Sequence, residues 1–220
     1  YRFVAVYVTA RLGETVAFML IPFILWAQTH WFNSHSNRWL VLGAVAWAGL
    51  ILSHNIQALI FTPLIIAYLI VGQYLVNKKI DWFKVLLWLG LALGISAWFW
   101  LPAMVEKQWT LQGQKVAYDF ATNFPPMQAY FYQPWGYGFN TIGEIGGVSL
   151  QLGVGQWLAI FAGGGMFIAS VLGKKRQGLK YLPVLCLWVG WTIGVFLLMN
   201  KQATVLWKIV PLLPQIQIPS

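Results

Sequence analysis

Arg11 and Glu14, in the run Arg11-Leu-Gly-Glu14, stand three residues apart, so on a helix they share a face and can pair or line one site. An apolar stretch follows them. Charges at a membrane edge are expensive unless they snorkel or pair, which makes both residues substrate-binding candidates. The structural alternative is a Glu favoured by the positive end of a helix dipole and an Arg reaching lipid headgroups. Ser53-His54-Asn55 forms a polar turn between two further apolar stretches. A His there can transfer a proton, donate to a phosphate or ligate a metal, while Ser and Asn also suit a plain turn. No second His follows at i+4 and no Cys is near, so this group alone makes no zinc site, and no metal ligand is assigned. Glu106, after Pro102 and beside Lys107, is a further candidate, set against a solvated ion pair. His30 and His35, among Asn33, Ser34, Ser36 and Asn37, read as a wet turn.

Those groups need elements to hold them, and the chain offers apolar stretches at 15–32, 39–53, 56–76, 83–101, 154–172 and 182–199. A hydrocarbon core of about 30 Å takes around 20 helical residues, with about 17 acceptable. The second and third stretches abut at Ser53-His54-Asn55, where a tight turn between antiparallel helices fits better than one helix of about 60 Å. The expected fold is all-α, a polytopic transmembrane helix bundle of about six spans forming a single transmembrane domain over 1–220, with one long extracytoplasmic loop at 102–153. Composition agrees: 59% hydrophobic and 9% charged, mean hydropathy +0.66, against roughly one-quarter charged residues in a soluble domain.

Orientation follows from Lys and Arg in the short connections. Alternate threading puts Arg38, Lys78, Lys79, Lys84, Lys174, Lys175, Arg176 and Lys180 on one side, taken as cytoplasmic, with Asp81 the acid beside them. Glu14, Glu106, Asp119, Glu144, the His54-Asn55 turn, the 102–153 loop and the tail from Asn200 then fall outside. The net charge of +9 is read as topology, because the basic residues end apolar runs and form no basic patch; nucleic acid is excluded as a partner and membrane lipids are implied.

A loop longer than about 15 residues is usually functional or disordered. Tyr118, Phe120, Phe124, Tyr130, Phe131, Tyr132, Trp135, Tyr137 and Phe139 are too aromatic for a disordered linker. The loop is expected to pack on the membrane surface or enclose a ligand. Trp135 is its candidate for stacking on a sugar, against a place in the interfacial aromatic belt. Gly90-Leu-Ala-Leu-Gly94 and Gly190-Trp-Thr-Ile-Gly194 predict close helix packing. Pro22 and Pro63 predict kinks, and Pro102 the end of the fourth span. Cys186, the one cysteine, rules out an internal disulfide and reads as a small buried apolar residue. Gly143, Gly146, Gly147, Gly153 and Gly155 fit neither a dinucleotide fingerprint nor a phosphate loop, and there is no nucleophile elbow, catalytic triad or strong internal repeat. The chain opens at Tyr1 without a signal-peptide pattern, so it is expected to be a segment of a longer protein.

Five stretches taken in order resemble a known family: Tyr7-Val-Thr-Ala-Arg11-Leu-Gly-Glu14, Leu52-Ser-His54-Asn55, Ser96-Ala-Trp-Phe-Trp-Leu-Pro102-Ala-Met-Val-Glu106, Val148-Ser-Leu-Gln-Leu-Gly153 and Leu213-Pro-Gln-Ile-Gln-Ile-Pro219. They are similar to the bacterial membrane-protein family labelled 6-pyruvoyl-tetrahydropterin synthase-related, which resembles YfhO-like proteins and the wider GT-C glycosyltransferase superfamily. Pterin chemistry does not follow from that label, since three histidines offer no metal-binding cluster. The resemblance implies a polyprenyl-phosphate-linked sugar donor, a site on the extracytoplasmic face and a bacterial inner (plasma) membrane. Under it Arg11 pairs a lipid phosphate, His54 donates to phosphate or sugar, and Glu14 or Glu106 holds sugar hydroxyls or a divalent metal. Asn55 and Trp135 complete the implied substrate-binding set. The acid that activates the acceptor is expected in a first outer loop upstream of residue 1, so the catalytic residue is unknown. The chain departs from the family pattern at its end, where Ile218, Pro219 and Ser220 replace a Phe before the proline and Trp-Arg after it.

The leading expectation is a membrane glycosyltransferase-like protein handling lipid-linked sugars. A transporter or flippase for such lipids needs polar groups at mid-membrane depth, where Gln57, Thr62, Ser96 and Thr192 are the candidates. A noncatalytic assembly protein that kept the bundle and lost the acid is the third class.

Overall fold

A helix that packs in a bundle must bury one face, and the first helix shows which. In α1 (Leu12–Ser34) the residues Glu14, Ala17, Ile21, Ile24, Gln28 and Trp31 are buried, at alternating spacings of three and four that keep them on one stripe. The computed structural model describes residues 12–106, 109, 124–134, 149–172 and 176–209, without the side chains of 170, 171 and 176–181. Arg11, Trp135, Lys107, Lys174, Lys175, the loop residues Tyr118, Phe120, Tyr137, Phe139, Gly143, Gly146 and Gly147, and the closing run 213–219 lie outside the described residues. The described residues are helical, without strand, and the chain divides into two compact units, Tyr1–Gln114 and Lys115–Ser220.

In the first unit α1 is followed by α2 (Asn37–Ser53), α3 (Asn55–Asn77) and α4 (Trp82–Glu106). Both α1 and α3 stop at a left-handed residue. His35 (φ 51) and Lys78 (φ 55) donate their N–H groups to Trp31 O at 2.8 Å and Tyr74 O at 2.9 Å, which closes the last helical turn. The register of α1 on α2 is read from their small residues. A Cβ at Gly13 would run into the Ser53 carbonyl, one at Gly49 would meet Leu20 at 3.3 Å, and one at Gly43 would approach Ala27 at 3.2 Å. The pairs 13/53, 20/49 and 27/43 run in opposite senses, so the helices are antiparallel. Against α3 the sense is shared: Gln28 Nε2 donates to Ile65 O at 3.3 Å, Thr29 Oγ1 and Tyr68 OH lie 2.9 Å apart, and the Phe32 ring fills the space a Cβ of Gly72 would need. On α4, Asp81 Oδ1 accepts the Lys84 N–H at 3.1 Å and caps the helix, while the Asp81 N–H donates to Gln73 Oε1 at 2.9 Å. Trp88 then lays its ring on Gly43.

One end of this unit therefore gathers the start of α1, the α2–α3 turn and the end of α4. The other gathers the α1–α2 turn and the α3–α4 connection. Trp47, Trp88, Leu50, Ile65 and Leu69 are fully buried between them. In lipid there is no hydrophobic drive between helices, so this interlocking of rings on glycines is what holds them together.

Among the described residues three helices, α1, α3 and α4, are long and apolar enough to cross a membrane, which marks an integral membrane protein. Among the same residues α2 and Val154–Ala169 are shorter apolar helices, and Leu182–Leu198 qualifies together with Lys201–Ile209, across a bend of 88°.

Several sequence expectations are corrected. Gly90, Gly94, Gly190 and Gly194 have nothing within 4 Å of the point where a Cβ would stand: α4 buries Val85, Trp88, Ala92 and Ser96, and Gly90 and Gly94 sit on the opposite side of the helix. Pro102 lies inside α4, which runs on to Glu106, because a proline removes one donor without necessarily ending the ladder. Pro22 and Pro63 lie inside α1 and α3, as their places within the apolar stretches imply. Cys186 is exposed, because an outward-facing residue of a membrane helix is as apolar as an inward one.

The second unit contains α5 (Met127–Phe131), α6 (Val154–Leu172), α7 (Arg176–Leu198), a 3₁₀ turn at Lys201–Ala203 and α8 (Thr204–Ile209). α5 is pinned by its aromatic residues. Phe131 stacks on Trp157 at 4.8 Å, and Tyr130 packs on Phe196 at 5.7 Å and donates its hydroxyl to Met199 O at 2.6 Å. The chain around α5 is also tied to 149–152: Leu152 N–H donates to Tyr130 O at 2.9 Å, and Leu150 N–H to Gln133 Oε1 at 2.8 Å. Burial pushes the Tyr130 hydroxyl up from its ordinary value of 10.0. A raised folded value means that its contribution to stability is complete below pH 10 and is lost as the pH climbs through the folded value. Tyr130→Phe is expected to lower stability by about 1–2 kcal/mol, because it strands the Met199 carbonyl. An unfolding series from neutral to strongly alkaline pH should show the wild-type advantage shrinking at the alkaline end, and a variant as stable as wild type at neutral pH contradicts the contact's weight.

Candidate functional site

Glu14 is in the first turn of α1, where a carboxylate meets the positive end of the helix dipole. It also begins the buried stripe, and only 8% of it is exposed. The carboxylate therefore points into the bundle and not along its lipid-facing side. Its neighbour Gly13 is what allows this, because any side chain there would strike the Ser53 carbonyl at the end of α2. α1 and the α2–α3 turn thus meet at their tips, with Glu14 and His54 at the same level of the bundle.

His54 serves both helices of that turn. Its N–H donates to Leu50 O at 3.1 Å, closing α2. Its Nδ1 accepts the Gln57 N–H at 3.1 Å, opening α3. A neutral imidazole whose Nδ1 accepts carries its proton on Nε2. Nε2 of His54 is therefore a hydrogen-bond donor, suited to phosphate or hydroxyl oxygen. Gln57 occupies the position from which a capping-box side chain reaches back to the first residue of the motif. Here the His54 N–H is already taken, and Gln57 Oε1 is buried with no hydrogen-bond partner among the described residues. The start of α3 adds a second positive dipole end beside that of α1. The tip of the unit can thus offer a donor at His54, an acceptor at Gln57 and a buried carboxylate at Glu14 to a polar ligand.

Asn55 is exposed, and its Oδ1 accepts the Ile56 N–H at 2.9 Å. Glu106 is at the same end but stands apart. Trp88 meets Gly43, so the level of Ser53 falls near Trp98, and Glu106 lies about 12 Å farther along α4 at 1.5 Å per residue. Every residue from 101 to 106 is exposed. Arg11 and Trp135 are outside the described residues. Of the sequence-derived candidates, the fold places Glu14 and His54 at the same end of the first unit, through the Gly13–Ser53 approach, and leaves Asn55 and Glu106 on exposed surface. Among the described residues no group of three or more His, Cys, Asp or Glu is placed to hold a metal ion.

The mid-span polar residues sort by partner. Thr62 Oγ1 accepts Trp47 Nε1–H at 3.2 Å, Ser96 Oγ donates to Ala92 O at 2.8 Å and Thr192 Oγ1 to Trp188 O at 2.9 Å, all structural roles. Sequence reasoning passes over Gln28 and Gln73. Both are wholly buried, and among the described residues Gln28 Oε1, Gln73 Nε2 and Trp88 Nε1 have no hydrogen-bond partner. A signal is present for Gln28: it follows Glu14 and Ile21 at a strict interval of seven on the buried stripe.

No family model, no curated protein and no solved structure matches this chain.

Proposed function

We propose that the chain is part of a bacterial inner-membrane protein with six spans and a long extracytoplasmic loop. Its Glu14 end faces outward and binds a polyprenyl-phosphate-linked sugar, as a GT-C-like glycosyltransferase does. The observation that carries this reading is the buried Glu14 at the same end of the first unit as His54, whose Nδ1 accepts the Gln57 N–H. A carboxylate and an imidazole N–H donor at one end of the bundle suit a ligand that has hydroxyls and a phosphate, with Glu14 accepting from the sugar and His54 donating to the phosphate. The basic residues gathered at the opposite end support an outward-facing Glu14 under the positive-inside rule. The family resemblance supports the choice of donor, with Arg11 on the lipid phosphate.

The test is retention of a short-chain polyprenyl-phosphate sugar by the full-length protein in nanodiscs, with polyprenyl phosphate alone and the free sugar phosphate as comparisons. The sugar-bearing lipid should bind best, and Glu14→Gln should remove its advantage over the bare lipid phosphate. Equal binding of all three ligands would remove the reading. Movement of the same lipids is a second reading, favoured by the unpartnered Gln28, Gln73 and Trp88 atoms inside the first unit. It requires the protein alone to carry the labelled lipid across a liposome membrane, with Gln28→Leu abolishing that transfer.

A further inference from the structure

We infer that the α1–α2 hairpin carries, at the end opposite Glu14, a site for the phosphate of an anionic phospholipid. The turn around His30 is not merely wet. Trp26, His30 and Trp39 form a closed set of ring contacts, Trp26 to His30 at 4.7 Å, Trp26 to Trp39 at 4.9 Å and His30 to Trp39 at 4.6 Å, the last pair stacked at 23°. The Arg38 guanidinium carbon lies over the Trp39 ring, 5.8 Å from its centroid. No carboxylate among the described residues pairs with Arg38, so its donors are held in place by the ring and remain available to an anion.

The surroundings identify that anion. Met19, Phe23 and Trp26 are exposed at 65%, 39% and 46% and ascend one side of α1 by about a turn at a time, so an apolar band leads directly into the cluster. A Trp at the top of such a band sits at the headgroup level. The cluster therefore meets lipid on its apolar flank and a headgroup at its cation. The same end of the unit repeats the device, with Lys78 Nζ 5.6 Å from the centroid of the Tyr74 ring, and carries Lys79 and Lys84 besides. Its acid, Asp81, caps α4, with Oδ1 accepting the Lys84 backbone N–H. A fixed guanidinium in a cationic surrounding, flush with hydrocarbon, fits a phosphodiester that arrives with acyl chains attached. The inference does not depend on the proposed donor site, which lies at the other end of the helices.

Dioctanoyl phosphatidylglycerol, dioctanoyl phosphatidylcholine and inorganic phosphate are titrated against the full chain in detergent, with bound lipid counted by native mass spectrometry. Phosphatidylglycerol should bind in preference to phosphatidylcholine, and Arg38→Gln should weaken it about tenfold or more, the loss of one charge-assisted contact. Arg38→Lys should recover part of the loss, and Lys201→Gln, at an exposed lysine of the second unit, should stay within about twofold of wild type. Inorganic phosphate should not compete. Equal binding of the two lipids, an Arg38→Gln variant that binds like wild type, a Lys201→Gln loss as large as that of Arg38→Gln, or effective competition by inorganic phosphate would each overturn the site.

Discussion

Gly43→Val is expected to destabilise the first unit by roughly 3 kcal/mol, at the upper end of what overpacking costs. The six-membered ring of Trp88 occupies the space of a Gly43 side chain, and Ala27 closes the remaining approach at 3.2 Å. Trp88 is fully buried and is stacked edge-on by Trp31 at 6.3 Å, so it has no room to withdraw. Three helices, α1, α2 and α4, meet at this one contact, and a side chain here separates all of them. The comparison is Gly90→Ala, which adds a methyl into open space on α4 and should stabilise by about 0.5–1 kcal/mol through helix propensity alone. Unfolding of purified protein in mixed micelles of increasing SDS measures both. If Gly43→Val is neutral while Gly90→Ala is damaging, the faces of α4 are assigned the wrong way round.

His54→Asn is expected to leave the fold intact and remove ligand binding, which separates the two duties of this residue. Asn is among the strongest helix N-caps, so it can accept the Gln57 N–H in place of Nδ1. Its Nδ2–H donors sit one bond nearer the backbone than Nε2, so they do not reach a ligand held by the outward Nε2–H. His54→Ala should instead lose about 1 kcal/mol of stability along with the ligand, because the cap goes too. Glu14→Gln keeps the shape of the side chain and removes its charge, and should cost donor affinity about tenfold or more, as expected for a charge-assisted contact. Should His54→Asn bind the donor lipid as wild type does, the ring's role is confined to capping.

The polar tips of the bundle are legible in the sequence and its interior much less so. Glu14 and the Ser53-His54-Asn55 turn stand out because they interrupt or precede apolar runs, and chain threading alone brings them to one end. The side of a helix is a different matter. In a membrane the lipid-facing and inward-facing sides are equally apolar, so periodicity does not tell Gly43 and Gly72, which take Trp88 and Phe32, from Gly90 and Gly94, which take nothing. The exposure of Cys186 is hidden for the same reason. Gln28 and Gln73 are detectable only once their stripes are known. His30 gains its meaning from Trp39 on the next helix, a partner that no local pattern supplies. The apolar stretches 15–32, 56–76 and 83–101 are legible as spans by length, and among the described residues α1, α3 and α4, which contain them, are long and apolar enough to cross by themselves.

The most direct measurement is a double-mutant cycle on binding of the short-chain polyprenyl-phosphate sugar to the full-length protein, using Glu14→Gln, His54→Asn and the pair. If the two side chains hold one ligand, the double variant should lose less than the sum of the single losses, with a coupling of about 0.5 kcal/mol or more. Losses that add independently, or single variants that bind as wild type does, would contradict a shared site at the Glu14 end.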